Sequence, residues 1–211
     1  MRQKATRDLY DYWNDLRGER AAPERAEVDP AALGPMLGDI FMLEIDQARR
    51  YPVRISATRL NRLFDCQLRG RSFIDLWRVQ ERAQMARLCA TVSDDTVAVV
   101  AGLTAAPDGE APVHLEMLLL PLRHRGKTHA RILGTMVPAG TVSWQGLVPV
   151  AQLSLASMRI VDARSAGRPM PGPATHGERR LLSMASLAGC APVARRGHLS
   201  LYQGGKASCA P

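Results

Sequence analysis

Apolar positions change their spacing several times along this chain, and each change marks an expected element. Between Lys4 and Arg17, Ala5, Leu9, Tyr12, Trp13 and Leu16 recur at helical intervals, while Arg7, Asp8, Asp11 and Asp15 fall elsewhere. This predicts an amphipathic helix stopped by Gly18. Its aromatic stripe must pack on its own domain or on a second copy. Leu9, Tyr12, Trp13 and Leu16 are therefore the candidate interface. A proline-rich connector follows, in which Asp29-Pro30 reads as a cap and a first-turn proline. Ile40 to Asp46 and Val53 to Ser56 read as strands.

Leu60 to Trp77 is the stretch the other elements surround. A helical turn carries Leu60, Leu63 and Phe64, and a polar break and Gly70 precede a second cluster at Phe73, Ile74, Leu76 and Trp77. These segments are too short to fold alone and need a sheet to cover. Val79 to Thr96 predicts a longer helix with Met85, Leu88, Cys89 and Val92 inward.

Three strands are expected next. Val97 to Ala105 is nearly all apolar, as in a strand buried on both faces. Pro107-Asp108-Gly109 is a turn. In Val113 to Leu122, the side chains Val113, Leu115, Met117 and Leu119 share one face, opposite His114 and Glu116. A basic hairpin loop is expected over Arg123 to His129, then a last strand over Arg131 to Pro138, where Gly134 implies a kink or a close backbone approach. Residues 139–160 add an edge strand with an apolar cover, Pro149 arguing against a central position. Residues 162–175 read as a linker. Thr175 to Glu178 fits a capping box before a short helix, and the end of the chain is basic and glycine-rich.

The order helix, strand, strand, short helices, longer helix, three strands implies an α+β layer arrangement. The divisions are 1–37 (helix and connector), 38–140 (a sensor-type domain), 141–161 (its extension) and 162–211 (a basic, partly disordered tail). If the helical segments roof the sheet, Leu60, Phe64, Phe73, Leu76, Trp77, Leu88, Met117, Leu119 and Met136 line an internal ligand pocket. For each of them, plain core packing is the competing reading.

Composition narrows the picture. The 211 residues are 46% hydrophobic and 23% charged, ordinary for a globular protein. No apolar run is long enough for a membrane span. The first residues lack the apolar core of a secretory signal, so a cytoplasmic protein is expected. Net charge is +8. Seven basic side chains and one acidic one lie between Ala163 and Pro211. Such a tail can contact nucleic acid, with Arg179, Arg180, Arg195 and Arg196 on phosphates, or can simply aid solubility. Cys66, Cys89, Cys190 and Cys209 show no paired spacing, and Cys66 and Cys89 read as buried small hydrophobes.

With these residues in this order, the chain resembles the PAS domain over about residues 1–140. Arg69-Gly70-Arg71-Ser72-Phe73-Ile74-Asp75-Leu76-Trp77 is similar to the family's segment before its connecting helix. Leu120 to His124 and Ile132 to Pro138, together with Thr6 to Arg17, look like bacterial stand-alone PAS proteins without a fused output domain. The resemblance implies a five-stranded antiparallel sheet with helices over one face, a signal or ligand sensed between them, and an N-terminal helix that often dimerises. Family members bind haem, flavin, small acids or nothing known, so the cofactor stays unknown. Photochemical flavin adduct formation is not expected, because Asp65-Cys66-Gln67-Leu68 fits that branch's cysteine segment poorly. Residues 79–96 hold no histidine for haem, and His114 reads as a surface histidine rather than a ligand.

No elbow, nucleotide loop or zinc-helix motif is present, and the histidines (His114, His124, His129, His176, His198) lack metal spacing. An enzyme is therefore not expected. The leading reading is a signalling regulator that senses a small ligand or acts through protein contacts, as a homodimer or with a signalling partner. The alternative is a nucleic-acid-binding regulator acting through the tail. A redox role for Cys66 or Cys89 ranks last.

Overall fold

A computed structural model describes residues 1–107, 110–140, 148–161, 194–196 and 199–201. The chain separates into two units, Met1–Arg168 and Pro169–Pro211. The first contains α1 (Lys4–Arg17), α2 (Pro30–Leu33), β1 (Ile40–Glu44), β2 (Val53–Ser56), α3 (Thr58–Phe64), α4 (Arg82–Asp94), β3 (Ala98–Ala105), β4 (Val113–His124), β5 (Lys127–Pro138) and β6 (Leu153–Val161). In the second, β7 (Ala194–Arg196) and β8 (Leu199–Leu201) form an antiparallel pair. The expected linker at 162–175 and the capped helix after it lie outside the described residues.

One sheet organises the first unit, in the order β2-β1-β5-β4-β3-β6 with every pair antiparallel. The α+β, PAS-like expectation holds, with two differences from a five-stranded sheet roofed on one side. A sixth strand, β6, extends the sheet along β3. Helices also cover both faces. The reason is the double-sided apolar pattern of the central strands. Val113, Leu115, Met117 and Leu119 of β4 enter one core with Val99, Ala101 and Leu103 of β3, beneath α3 and α4. Leu118, Leu120 and Leu122 enter the other with Ala98 and Val100, beneath α1 and the 22–36 connector.

α1 buries Leu9, Tyr10 and Trp13 on that second face. Trp13 Nε1 donates to the buried carbonyl of Pro121 at 2.9 Å. A proline inside a sheet is tolerated here because the β3–β4 register ends at Val99–Leu119, before Pro121 is reached. The start of α1 has no local cap. Glu116 on β4 supplies one, accepting the backbone N–H groups of Arg2 (2.7 Å) and Gln3 (3.0 Å). Burial pushes the Glu116 carboxyl up, but the Arg2 and Gln3 N–H groups, the Thr6 hydroxyl and the N-terminal charge together hold it below the usual range.

The basic loop expected over 123–129 is only a two-residue turn. His124 pairs with Lys127, and Arg125 and Gly126 both take positive φ (53° and 78°). Such a turn matches the right-handed twist of its strands, so pairing continues almost to the tip. The turn at 107 is closed by Glu110 N–H donating to Pro107 at 3.2 Å, while 108 and 109 lie outside the described residues. Asp29 caps α2 through Ala31 N–H at 2.9 Å, as its sequence implies. Among the described residues no helix is long and apolar enough to cross a membrane.

Two measurements test this docking. Trp13→Phe removes the donor and leaves the Pro121 carbonyl buried, so urea unfolding should show a loss of about 1–3 kcal/mol, and Trp13→Asp should not fold. Glu116→Gln should cost about 1 kcal/mol at pH 7. Because the folded carboxyl titrates below its unfolded value of about 4.3, that gap should close as pH falls through the folded pKa.

Candidate functional site

The first core lies between the sheet and the segment 58–94, and the backbone explains how its aromatic centre is built. After α3, Asp65 turns the chain in a left-handed conformation (φ 47°). Asn61 Oδ1 then accepts Leu68 N–H at 3.2 Å. The chain next runs beside β2: Gly70 N–H donates to Val53 (2.7 Å), Val53 N–H to Arg71 (2.9 Å) and Phe73 N–H to Tyr51 (3.1 Å). This fixes Phe73 over β1.

Phe41 on β1 is paired with Gly134 on β5. A Cβ at position 134 would fall inside the Phe41 ring, so only glycine allows the ring to lie flat on the strand. The close approach expected at Gly134 is therefore real. Phe41 stacks on Phe73 with 5.4 Å between centroids, and Phe73 meets the Trp77 ring edge-on at 5.9 Å. The three rings connect the sheet to the helical layer.

The structure brings all nine expected pocket residues, Leu60, Phe64, Phe73, Leu76, Trp77, Leu88, Met117, Leu119 and Met136, into this one buried cluster. It adds Met85, read as inward on its helix, and Phe41, Tyr51 and Leu68, which sequence reasoning did not place there. Gly134 opposite a strand aromatic was the available signal for Phe41. Tyr51 had none: it lies in what reads as a polar turn and is held inward at a positive φ of 52°.

Few polar groups enter this core. The Tyr51 hydroxyl donates to the Ala86 carbonyl at 3.4 Å and accepts from Arg49, which is paired with Asp94 at 2.9 Å. Burial pushes the Tyr51 hydroxyl and the Cys89 thiol up, so neither ionises readily. The Trp77 ring is fully buried, and its Nε1–H has no hydrogen-bond partner among the described residues. A buried donor left unmatched costs about 1–3 kcal/mol.

Two cavities flank the core. One of 330 Å³ reaches Phe64 and Leu76 and is bordered by Cys66, Arg71, Ser72 and Asp75. The other, of 610 Å³, runs between α4 and β6 and reaches Leu88. Cys66 is only half-buried, unlike Cys89. His114 is exposed and projects on the α1 side of the sheet, away from the aromatic core, so it is no haem ligand there. Among the described residues no cluster could hold a metal ion.

The candidate interface is placed differently from its expected role. Leu9 and Trp13 are spent on this chain's own sheet, because α1 covers that part of the second core; Tyr12 and Leu16 remain half-buried at its edge. Of the candidate phosphate contacts, Arg195 and Arg196 lie on β7 by backbone, while Arg179 and Arg180 lie outside the described residues.

Comparison with known proteins gives a consistent family. A family model described as PAS domain matches residues 1–137. Among solved structures, a Rhodobacter sphaeroides LOV protein is similar at 15% identity and a TM-score of 0.40, over 51% of this chain and 62% of that one. An aspartate-to-glycine variant of RsLOV is similar at 14% identity and a TM-score of 0.40, over 69% of this chain and 74% of that one. No curated protein matches this chain.

The ring stack has a direct test. Gly134→Ala must displace Phe41 and with it Phe73. Thermal or urea unfolding should show a loss of about 1–3 kcal/mol, and near-ultraviolet circular dichroism should lose its aromatic signal.

Proposed function

Because this chain belongs to the PAS-domain family, we propose that it is a cytoplasmic signalling regulator, without enzymatic activity, that senses a small uncharged ligand in the core beneath α3 and α4. The observation that carries this reading is the Trp77 indole N–H, which has no hydrogen-bond partner among the described residues of a core with few other polar groups. A ligand with one acceptor, such as a carbonyl or ether oxygen, on an apolar body would satisfy it. Burying a charged ligand there would be far costlier, because the one charged side chain buried among the described residues, Asp39, is already paired with Arg59.

The 330 Å³ cavity at Phe64 and Leu76 offers the path inward, and its size suits a small ligand. The nine pocket residues and the Phe41–Phe73–Trp77 stack form the walls in this reading. Occupancy would shift the packing of Phe73, and through the hydrogen bonds of 70–73 to β2 it would reach the sheet edge. Output then passes through protein contacts, with a second copy or a signalling partner. Surface other than Leu9 and Trp13 must supply them.

Native mass spectrometry and an absorbance spectrum of the purified full chain test the reading. The expected result is a bound mass that Trp77→Phe weakens by about tenfold, the worth of one buried hydrogen bond. A protein with no bound mass, whose melting temperature does not respond to small carbonyl compounds, would overturn it.

A further inference from the structure

Two residues of the proposed ligand site, Leu76 and Trp77, stand on one short turn. It is a single 3₁₀ turn over Ile74–Leu76. The N–H groups of Asp75, Leu76 and Trp77 close it, donating to the Ser72, Phe73 and Ile74 carbonyls at 3.2, 3.3 and 3.3 Å. Those distances lie at the long end of the backbone range, so the turn holds itself weakly.

Arg82, the first residue of α4, clamps the turn from outside. Its Nε donates to the Trp77 carbonyl at 3.1 Å and its Nη2 to the Asp75 carbonyl at 3.3 Å. Its Nη1 lies 3.1 Å from the Asp75 carboxylate. One planar guanidinium therefore meets three acceptors on both sides of Leu76. A lysine ammonium, a single point of charge, cannot span them. Arg82 itself is not part of the buried cluster.

On local grounds this is a poor place for an arginine. The first turn of α4 holds no acidic residue, and a cation there opposes the helix dipole. Glu81, whose charge would suit the helix start, instead accepts the Leu155 N–H at 2.9 Å. The ion pair with Asp75 is a weak reason for Arg82, because the Asp75 side chain is 64% exposed and such pairs contribute little. The two carbonyl contacts are what remain, and they act on the turn that carries Trp77. A residue that violates local preference in this way marks a place where tertiary demands prevail.

We propose that Arg82 is the positioning residue of the ligand site. By fixing the carbonyls on either side of Leu76, it holds Leu76 against the 330 Å³ cavity and keeps the Trp77 indole in its place in the core. The value of this to binding rests on the ligand reading given for that core; the hold on Trp77 does not.

Indole N–H exchange in the full chain, followed by nuclear magnetic resonance with isotope-labelled tryptophan, tests the proposal. Trp77→Phe and Trp13→Phe assign the two signals. Trp13 is the internal control, since it lies in the other core and donates to Pro121. Arg82→Lys should speed Trp77 exchange about tenfold and leave Trp13 exchange unchanged. Asp75→Asn, which keeps both carbonyls, should alter neither rate by more than about twofold. Equal acceleration of both indoles would make Arg82 a general stabiliser, and unaltered Trp77 exchange would remove its hold; either result overturns the proposal. An Asp75→Asn effect as large as that of Arg82→Lys would also overturn it, by assigning the hold to the surface ion pair. Acetophenone, an apolar body with one carbonyl, adds the binding readout. It should shift the Trp77 indole signal, and Arg82→Lys should require about tenfold more of it. An equal requirement in Arg82→Lys overturns the positioning role. A signal that acetophenone leaves in place counts against the ligand reading alone, because the exchange rates still decide the hold on Trp77.

Discussion

Strand β3 and the stretch of β4 from Met117 to Leu122 are apolar at nearly every position, and that constraint shapes the rest of the structure. A sheet whose centre is greasy on both faces cannot leave either face wet. One face takes the helical segment 58–94. The other takes α1 and the connector behind it. The N-terminal helix is therefore an integral half of the fold. Its indole bond to Pro121 and its Glu116 cap tie it to the strand that also builds the opposite core.

The two faces differ in what they contain. The α1 face carries the Tyr10–Trp13 ring pair, 6.0 Å apart, and a cavity of 610 Å³ beside Val100 and Glu116. The other face carries the Phe41–Phe73–Trp77 stack, a donor without a partner among the described residues and two flanking cavities. Imperfect satisfaction of this kind is where a binding function is to be sought, since a core with no other role would be better off with phenylalanine at position 77. At the sheet edge, Met158 and Ile160 of β6 remain exposed.

Much of this was legible in the residues. Helical spacing gave α1 from Lys4 to Arg17, the boundaries it has. Alternation separated Val113, Leu115, Met117 and Leu119 from the opposite face of β4, and glycine in a strand pointed to the close approach at position 134. All nine pocket candidates share one core because helical and strand periods each identify an inward face. The use of Glu116 as a cap for α1 was hidden, since its partner backbone lies 113 residues away in sequence. Tyr51 was hidden because a positive φ reverses the direction its polar surroundings imply.

The sequence by itself determined which side chains are inward, where helices start and stop, and that an α+β sheet needs covering. These follow from local periodicity and capping, which act over a few residues. Only the tertiary structure decided what each inward side chain meets. It spent Leu9 and Trp13 on the chain's own sheet, left the Trp77 donor without a partner among the described residues and left Met158 and Ile160 of β6 exposed. Those outcomes depend on register, which exists only once distant strands have paired.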